Sequence, residues 1–175
     1  MLYLFDANVL IDWNRDHYRF NDVPPFWDWL QYHAKQGNVK IPIEIYEEIK
    51  EPQRQEGETR NPFFEWLKDK EIKKILVLNE DVNEALVSRV TDEGYGNDLT
   101  DDEIEVIGRD PFLIAYALAS QGDRCVVTKE NSKPSAKRQN RQIPDVCDGF
   151  NVKWCTPPAF TKELKFSVNW KDLIN

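Results

Sequence analysis

The chain has 175 residues, enough for one domain whose apolar core needs no disulfides or structural metal. Its formal net charge of -8 argues against a protein that coats nucleic acid by bulk electrostatic attraction. No apolar run approaches the roughly 20 residues needed to span a bilayer, and the first residues lack the basic flank of a secretory signal. We therefore expect a single domain over residues 1–175 in a soluble, cytoplasmic protein without membrane contact.

Strands and helices alternate in the first part of the chain. Apolar LYLF and NVKI predict strands, and KKILVL predicts a strand or buried extended segment. Helical spacing of apolar residues predicts helices at ANVLIDW, FWDWLQYHAKQG, IEIYEEIKE, NPFFEWLKDKE and EDVNEALVSRV. TDEGYGNDLT, with two glycines, predicts a loop, and Thr100 followed by Glu103 predicts a helix start.

The second part of the chain continues this alternation. DPFLIAYALASQG predicts a helix that starts at Asp110, has Pro111 in its first turn and ends at Gly122. RCVVT and NVKW predict strands, PDVCDGF and PAFTKELK predict helices, and a polar loop extends to Gln142. The pattern predicts an α/β fold, a three-layer α/β/α sandwich with a mainly parallel central sheet.

Several acids fall near one edge of this sheet. Asp6 directly follows the first strand, Glu130 lies two residues beyond RCVVT, and Asp110 starts the helix that leads into RCVVT. Ligands in such sheets collect beyond the C-terminal ends of the strands. Glu44 and Glu48 share a face of the helix after NVKI, so either could lean over the same edge. Taken singly, Asp110 could be a helix cap and Glu130 a surface residue, and only their convergence indicates a site.

Converging carboxylates favour a divalent cation. Two carboxylates about 4 Å apart repel by roughly 4 kcal/mol at an effective dielectric of 20. Hard oxygen ligands suit Mg²⁺ or Mn²⁺, whereas the sparse pattern of Cys125, Cys147 and Cys155 is typical of buried free thiols rather than a zinc site. An ion held by carboxylates and water can polarise a phosphoryl oxygen and activate water for in-line attack.

The residues around these acids resemble the PIN domain, a small α/β fold that includes the VapC-type toxins of bacterial toxin–antitoxin pairs. The resemblance covers most of the chain, in order. LFDANVLID resembles the family's opening strand and turn, with Asp6 as the metal-binding acid and Asn8 as the polar residue that supports it. KIPIEIYEEI resembles the family's second motif, in which a Glu comes six residues after the small-residue or proline position; counted from Pro42, this Glu is Glu48. DPFLIAYALA resembles the third motif, with its acid at Asp110.

VVTKE resembles the fourth motif, with Thr128 in place and Glu130 where the family has Asp. The chain is longer than the smallest toxins, and in this respect it resembles a less characterised bacterial branch. The resemblance implies an Mg²⁺- or Mn²⁺-dependent endoribonuclease, often dimeric and often restrained by an antitoxin protein. Its implied catalytic metal ligands are Asp6, Glu48, Asp110 and Glu130, with Asn8 and Thr128 in support.

Residues 129–142 form a basic segment that comes after the fourth motif and therefore lies near the predicted site. Its basic residues, which we expect either to grip RNA phosphates or to be merely solvated, are Lys129, Lys133, Lys137, Arg138 and Arg141. Further acids, which could add ligands or act as caps, are Asp12, Asp145 and Asp101–Glu103.

The residues directly after the first strand distinguish rival functions. A Rossmann cofactor domain requires a glycine-rich turn there, which this chain lacks. A haloacid-dehalogenase phosphatase expects a second acid two residues after the first, where this chain has Asn8. Two alternatives remain: a catalytically degenerate PIN-fold module that binds RNA or protein, and a DNA-directed nuclease with the same site.

Overall fold

The sheet of the computed structural model, which describes residues 1–49 and 61–173, is parallel throughout. Its strands are β1 (Leu2–Phe5), β2 (Val39–Lys40), β3 (Arg124–Val127) and β4 (Lys153–Cys155). Their order across the sheet is β2-β1-β3-β4, and every pairing is parallel. The parallel sheet expected from the sequence is confirmed.

Helices fill the connections between the strands. Along the described chain they are α1 (Ala7–Asp12), α2 (Pro24–Lys35), α3 (Ile43–Glu48), α4 (Pro62–Lys68), α5 (Lys70–Leu76), α6 (Glu84–Arg89), α7 (Asp101–Ile107), α8 (Asp110–Leu118), α9 (Ile143–Gly149) and α10 (Pro157–Glu163). Short π-helical turns extend α1 over Trp13–His17 and α6 over Val90–Tyr95, and 3₁₀ turns span Arg138–Asn140 and Trp170–Leu173.

Helices cover both faces of the sheet. The rings of Tyr3 and Phe5 in β1 contact Phe160 of α10 on one face, with centroid distances of 5.0 and 4.9 Å. Arg124 of β3 has the opposite orientation, because side chains alternate along paired strands. Its guanidinium donates to the carbonyl of Tyr116 in α8 at 2.8 Å. The predicted three-layer α/β/α sandwich is confirmed.

Local sequence signals explain several helix ends. Thr100 and Glu103 form the reciprocal capping box that starts α7, as their spacing predicts. Pro111 occupies the first turn of α8, where its missing N–H removes no helical hydrogen bond. Gly122 has a φ of 97° in the turn that leads into β3, a conformation that favours glycine.

Two predicted elements were wrong. The KKILVL strand is largely the end of α5, because Asp69 caps a new helix by accepting hydrogen bonds from the amides of Glu71 and Ile72. Within KKILVL only Val77 forms a β-bridge, and its partner is Ile41. The predicted TDEGYGNDLT loop begins with the π-helical turn that ends at Tyr95. The end of IEIYEEIKE, at residues 50–51, lies outside the described residues.

The buried apolar side chains pack into one cluster that extends from β1 to the C-terminal 3₁₀ turn. Cys125 and Cys147 are buried free thiols, as expected, whereas Cys155 is only partly buried. Within residues 1–49 and 61–173, the structure contains no helix long and apolar enough to cross a bilayer.

Candidate active site at the carboxyl edge of the sheet

The strand order places a topological switch point between β1 and β3. From β1 the chain turns to β2 on one side, and it later returns to β3 on the other side of β1. In open α/β sheets, ligands bind in the crevice beyond the carboxyl ends of the strands at such a point. Asp6 directly follows β1, and Thr128 directly follows β3. The fold therefore brings the predicted first and fourth motifs together at this edge.

Asp6 is held by two hydrogen bonds, one to each carboxylate oxygen. Its Oδ1 accepts from the backbone N–H of Asn8 at 3.2 Å, and its Oδ2 accepts from the hydroxyl of Thr128 at 3.2 Å. The support from Asn8 comes through the backbone, because its side chain is exposed. Burial of Asp6, which is 7% exposed, raises its pKa, and the two hydrogen bonds oppose that rise.

Thr128 connects two of the predicted site acids. It is completely buried, and its hydroxyl both donates to Asp6 and accepts from the backbone N–H of Glu130 at 3.2 Å. A buried hydroxyl with both functions satisfied has a fixed orientation. Thr128 therefore fixes the position of the Asp6 carboxylate relative to the chain that carries Glu130.

Asp110 does not act as a helix cap. It is the first residue of α8, the cap position belongs to Arg109, and no side chain caps this helix. Within the described parts of the chain, no hydrogen bond reaches the Asp110 carboxylate. Its pKa lies well above the usual value because of burial first, and then because of the charges of Asp6, Glu130 and Glu48. The predicted acids thus surround Asp110 closely enough for their charges to interact.

Glu48, rather than Glu44, faces Asp110. A Cβ atom built on Gly108, two residues before Asp110, would lie 3.4 Å from Oε1 of Glu48. Oε1 of Glu44 instead accepts a hydrogen bond from the hydroxyl of Tyr116, at 3.5 Å, further along α8. The position of Glu48 at the end of α3 is therefore the one that belongs to the acidic cluster.

One carboxylate oxygen of Glu130 is hydrogen-bonded to the backbone. Its Oε2 accepts a 2.6 Å hydrogen bond from the N–H of Ile143, at the start of α9. Burial raises the pKa of Glu130, and the charges of Asp6 and Asp145 add to that rise. The Glu130 side chain thus reaches from the end of β3 to the start of α9.

The donor set fits a hard divalent cation in residue type. Carboxylate oxygens are the ligands that Mg²⁺ and Mn²⁺ prefer, and no basic side chain among the described residues hydrogen-bonds to Asp110. As placed, however, no group of three or more Asp, Glu, His or Cys side chains in residues 1–49 and 61–173 is close enough to hold a metal ion. Cation binding would therefore need the carboxylates to rotate towards one another.

The basic segment after β3 is largely held by the protein itself. Its intramolecular ion pairs and hydrogen bonds join Lys129 to Asp12, Arg138 to Asp98 and Glu103, and Arg141 to the carbonyls of Gly94 and Asp145. Lys133 and Lys137 are exposed, and their ammonium groups have no partner within the described residues. These two lysines are therefore the members of the segment that remain available to a phosphate.

The further acids that the sequence analysis considered as extra ligands or caps lie outside the acidic cluster, and several of them contact other parts of the chain. Asp145 accepts from the hydroxyl of Ser132 at 2.6 Å and from the N–H of Lys133 at 2.7 Å, which holds the basic segment in place. Asp12 pairs with Arg15 as well as Lys129. Asp101 begins α7, and Asp101 and Asp102 are both exposed in its first turn. The exposure of Asp101 and Asp102 agrees with a role in solubility, whereas the side chains of Asp12 and Asp145 bind other parts of the chain and cap no helix.

A cavity of about 400 Å³ opens beside the site, next to the Asp12–Lys129 ion pair. Apolar and polar groups share its lining, which includes Tyr18, Asn131 and Thr156. Its volume falls within the range of small-molecule sites. The cavity extends from the carboxyl edge of the sheet towards α10.

Sequence reasoning missed Tyr95. The ring is 4% exposed, and its hydroxyl is buried without a hydrogen-bond partner in the described structure. Burial raises its pKa most, followed by the charges of Asp110 and Glu130. The only sequence signal was an aromatic residue between Gly94 and Gly96, in a segment whose composition indicates a loop.

A comparison with protein families finds one whose model matches residues 3–168, nearly the whole chain, and which is described as a domain of unknown function, DUF4411. Neither the curated proteins nor the solved structures include a match.

Proposed function

We propose that this chain, which belongs to the DUF4411 family, is an endoribonuclease that uses Mg²⁺ or Mn²⁺ to hydrolyse RNA phosphodiester bonds at the acidic cluster. The cluster consists of Asp6, Glu48, Asp110 and Glu130. The choice of RNA rests on the resemblance of the motifs around these acids to PIN domains, and the choice of metal chemistry rests on the arrangement of the acids.

The observation that carries the proposal is the position of Asp110. This partly buried carboxylate has no hydrogen-bond partner in the described structure, does not cap its helix, and shares its surroundings with three other acids. Such an arrangement weakens the folded state unless a cation neutralises it, since each ionised carboxylate raises the cost of ionising the next. The carboxylates of Asp12, Asp145 and Glu103, outside the cluster, all have hydrogen-bonding or ionic partners, in contrast to Asp110.

The chain's own residues would perform three tasks. Thr128 and the amide of Asn8 orient Asp6, so that each of its oxygens keeps a free lone pair. Asp110 and Glu48 contribute negative charge from the opposite side of the cluster. When bound, the ion would polarise a phosphoryl oxygen and lower the pKa of a bound water. In hydrolysis the water oxygen forms a bond to phosphorus, the bond to the leaving sugar oxygen breaks, and that oxygen gains a proton.

The surface near the cluster offers RNA contacts of limited extent. Lys133 and Lys137 can each contact a phosphate, and the cavity beside the Asp12–Lys129 ion pair has room for part of a nucleotide. A net charge of -8 means that such local contacts, together with the cation, must supply the attraction.

The second candidate is a non-catalytic module that binds RNA or protein. The observation that favours it is the hydrogen bond between Glu130 and the N–H of Ile143, which occupies an oxygen of the fourth acid. Within the described residues the acids also lie too far apart, as placed, to hold a metal ion, which likewise favours a non-catalytic module. A degenerate site of this kind would show neither metal binding nor cleavage.

Cleavage assays decide between these candidates. Purified protein is incubated with mixed tRNA and with single-stranded RNA in Mn²⁺, in Mg²⁺ and in chelator, beside the variants Asp6→Asn and Asp110→Asn. We expect cleavage with either metal, none in chelator and none with either variant. Single-stranded DNA of the same sequence, in a parallel reaction, tests the choice of RNA.

Asp172→Asn is the matched control for these variants. Asp172 is exposed in the C-terminal 3₁₀ turn, and its carboxylate has no partner in the described structure, so the same substitution there should leave cleavage unchanged. Hydrolysis that persists in chelator, or in both active-site variants, would contradict the proposed site. Absence of cleavage together with absence of metal binding would favour the binding module.

A further inference from the structure

Tyr95 has a buried hydroxyl that the fold leaves unpaired. It is the last residue of the π-helical turn Val90–Tyr95, it is 4% exposed, and its hydroxyl has no partner in the described structure. Nearly all buried polar side-chain atoms in proteins have a hydrogen-bond partner, so an orphaned one requires an explanation. The other tyrosine hydroxyls with resolved contacts, those of Tyr46 and Tyr116, donate to backbone carbonyls.

The turn that carries Tyr95 is closely packed. The π-helical turn packs against α8, α9 and the 3₁₀ turn of the basic segment. At Gly94 a Cβ atom would come within 2.8 Å of Val146 and 3.3 Å of Phe150, so only glycine permits this approach to α9. Arg141 binds the carbonyl of Gly94 from the other side. Tyr95 therefore cannot easily turn away to find another partner.

The turn that carries Tyr95 packs against α8, the helix whose first residue is Asp110. Among charged groups, Asp110 and Glu130 have the largest effects on the pKa of Tyr95, and both raise it. Asp110 itself accepts no hydrogen bond within the described residues. A donor without an acceptor and an acceptor without a donor thus lie in the same part of the structure, next to a candidate metal site.

We propose that Tyr95 is a positioning residue of the acidic cluster: when the Asp110 carboxylate rotates towards a divalent cation, the Tyr95 hydroxyl donates a hydrogen bond to it, directly or through one water molecule, and holds it in that orientation. This inference rests on the proposed function, since it assigns Tyr95 a role at the same site. Tyr95 touches no substrate in this role and acts through Asp110 alone.

The test compares two Tyr→Phe variants that each remove one buried hydroxyl near α8. Tyr116 is the matched control, because it is 3% exposed and its hydroxyl donates to the carbonyl of Glu80 at 3.2 Å and to Glu44 at 3.5 Å. For each variant, thermal unfolding is measured in chelator, and Mn²⁺ affinity is measured from the shift in unfolding midpoint across a Mn²⁺ titration.

The two variants should behave in opposite ways. Tyr95→Phe removes an unpaired hydroxyl, so its midpoint in chelator should stay the same or rise, while its Mn²⁺ affinity falls about 10- to 100-fold. Tyr116→Phe breaks existing hydrogen bonds, so its midpoint in chelator should fall and its Mn²⁺ affinity should not change.

Two results would overturn the inference, and they are distinguishable. If the wild type gains stability from Mn²⁺ and Tyr95→Phe gains it with the same affinity, Tyr95 has no positioning role, although the proposed metal site stands. If the wild type gains no stability from Mn²⁺, the metal site and the role of Tyr95 fail together.

Discussion

The carboxylate of Asp110 ionises only at the expense of stability, because burial and the charges of Asp6, Glu130 and Glu48 all raise its pKa. A folded-state pKa above the unfolded value of about 3.9 means that the folded protein binds the proton more tightly. The stability that this proton contributes is complete below that unfolded value, and it is lost as pH rises through the folded-state pKa. At neutral pH, without metal, burial of this carboxyl group among other acids therefore opposes folding.

Asp110→Asn should stabilise the metal-free protein at pH 7. Each pKa unit of the shift corresponds to about 1.4 kcal/mol, from which the lost attraction between an acid and a helix N-terminus subtracts about 0.3–1 kcal/mol. We expect a net gain in the free energy of unfolding, measured by urea unfolding in chelator, that disappears as the pH is lowered towards 3.5. Asp172→Asn should show no such gain, and a destabilised Asp110→Asn at pH 7 would mean that the carboxylate has a partner.

Thr128→Val should weaken both the fold and the metal site. The substitution keeps the shape of the side chain but leaves Oδ2 of Asp6 and the N–H of Glu130 without their hydroxyl partner. An unsatisfied buried group costs about 1–3 kcal/mol, and loss of a residue that orients a ligand lowers metal affinity about 10- to 100-fold. Urea unfolding and Mn²⁺ titration measure the two effects. Thr128→Ser retains the hydroxyl, and equal losses in that variant would rule out the hydrogen bonds as their cause.

The sequence predicts site residues best where position along a strand determines location. Asp6 and Glu130 could be placed at one edge because each follows a parallel strand, and Asp110 because its helix leads into β3. Helical spacing alone leaves Glu44 and Glu48 on one face, and only the motif resemblance selected Glu48, whose Oε1 lies beside Gly108 in the structure. Tyr95 could not be found, because its importance comes from packing against α9, which no local pattern encodes.

At the level of elements, the basic segment is held in place by Arg138, an arginine that the sequence analysis considered as a contact for RNA phosphates. Arg138 donates to Oε1 and Oε2 of Glu103 at 2.7 Å each, and to Asp98 at 2.6 Å. Hydrogen bonds from Arg138 lower the pKa of Glu103 to about 2. The segment is thereby tied to the start of α7, and the guanidinium has few donors left for a phosphate.

RNA binding should therefore depend on Lys133 and Lys137 but only indirectly on Arg138. Each phosphate contact with single-stranded RNA contributes about 0.7 to the slope of log affinity against log salt concentration. Lys133→Ala and Lys137→Ala should each lower the slope by about that amount, whereas Arg138→Ala should leave it unchanged. Fluorescence anisotropy in the Asp110→Asn background measures binding without cleavage. A lower slope with Arg138→Ala alone would assign the phosphate contact to the arginine.

The helix that replaces the predicted KKILVL strand shows where local patterns are ambiguous. A short apolar run fits a buried strand or one face of a helix equally well. Asp69 favours the helix because its side chain caps the start of α5. In that helix Ile72 and Leu76 are buried in the core, and Val77 after it forms a β-bridge with Ile41. The π-helical turn before Gly96 escaped prediction for a related reason, since the segment TDEGYGNDLT, which contains most of it, has two glycines and several acids typical of loops.

Over the whole molecule, alternating strands and helices were enough to predict a parallel sheet between two helical layers. They could not give the strand order β2-β1-β3-β4, because that order depends on long-range pairing. It is the order that places the switch point, and hence the acidic cluster, between β1 and β3. The proposed cation at that point would offset the mutual repulsion of the acids and thereby stabilise the fold.

Mn²⁺ should therefore stabilise the complete chain in a pH-dependent manner. At a concentration 100 times the dissociation constant, binding contributes about 2.7 kcal/mol, which for a chain of this size raises the unfolding midpoint by roughly 5 to 11 °C. Because Asp110 must lose its proton to bind the ion, and its pKa is raised, the stabilisation should weaken as pH falls through that pKa, at a higher pH than for an ordinary carboxylate. Differential scanning calorimetry between pH 4.5 and 7.5 measures the shift. Asp6→Asn and Asp110→Asn should abolish it, and a shift of equal size in both variants would place the ion elsewhere in the protein.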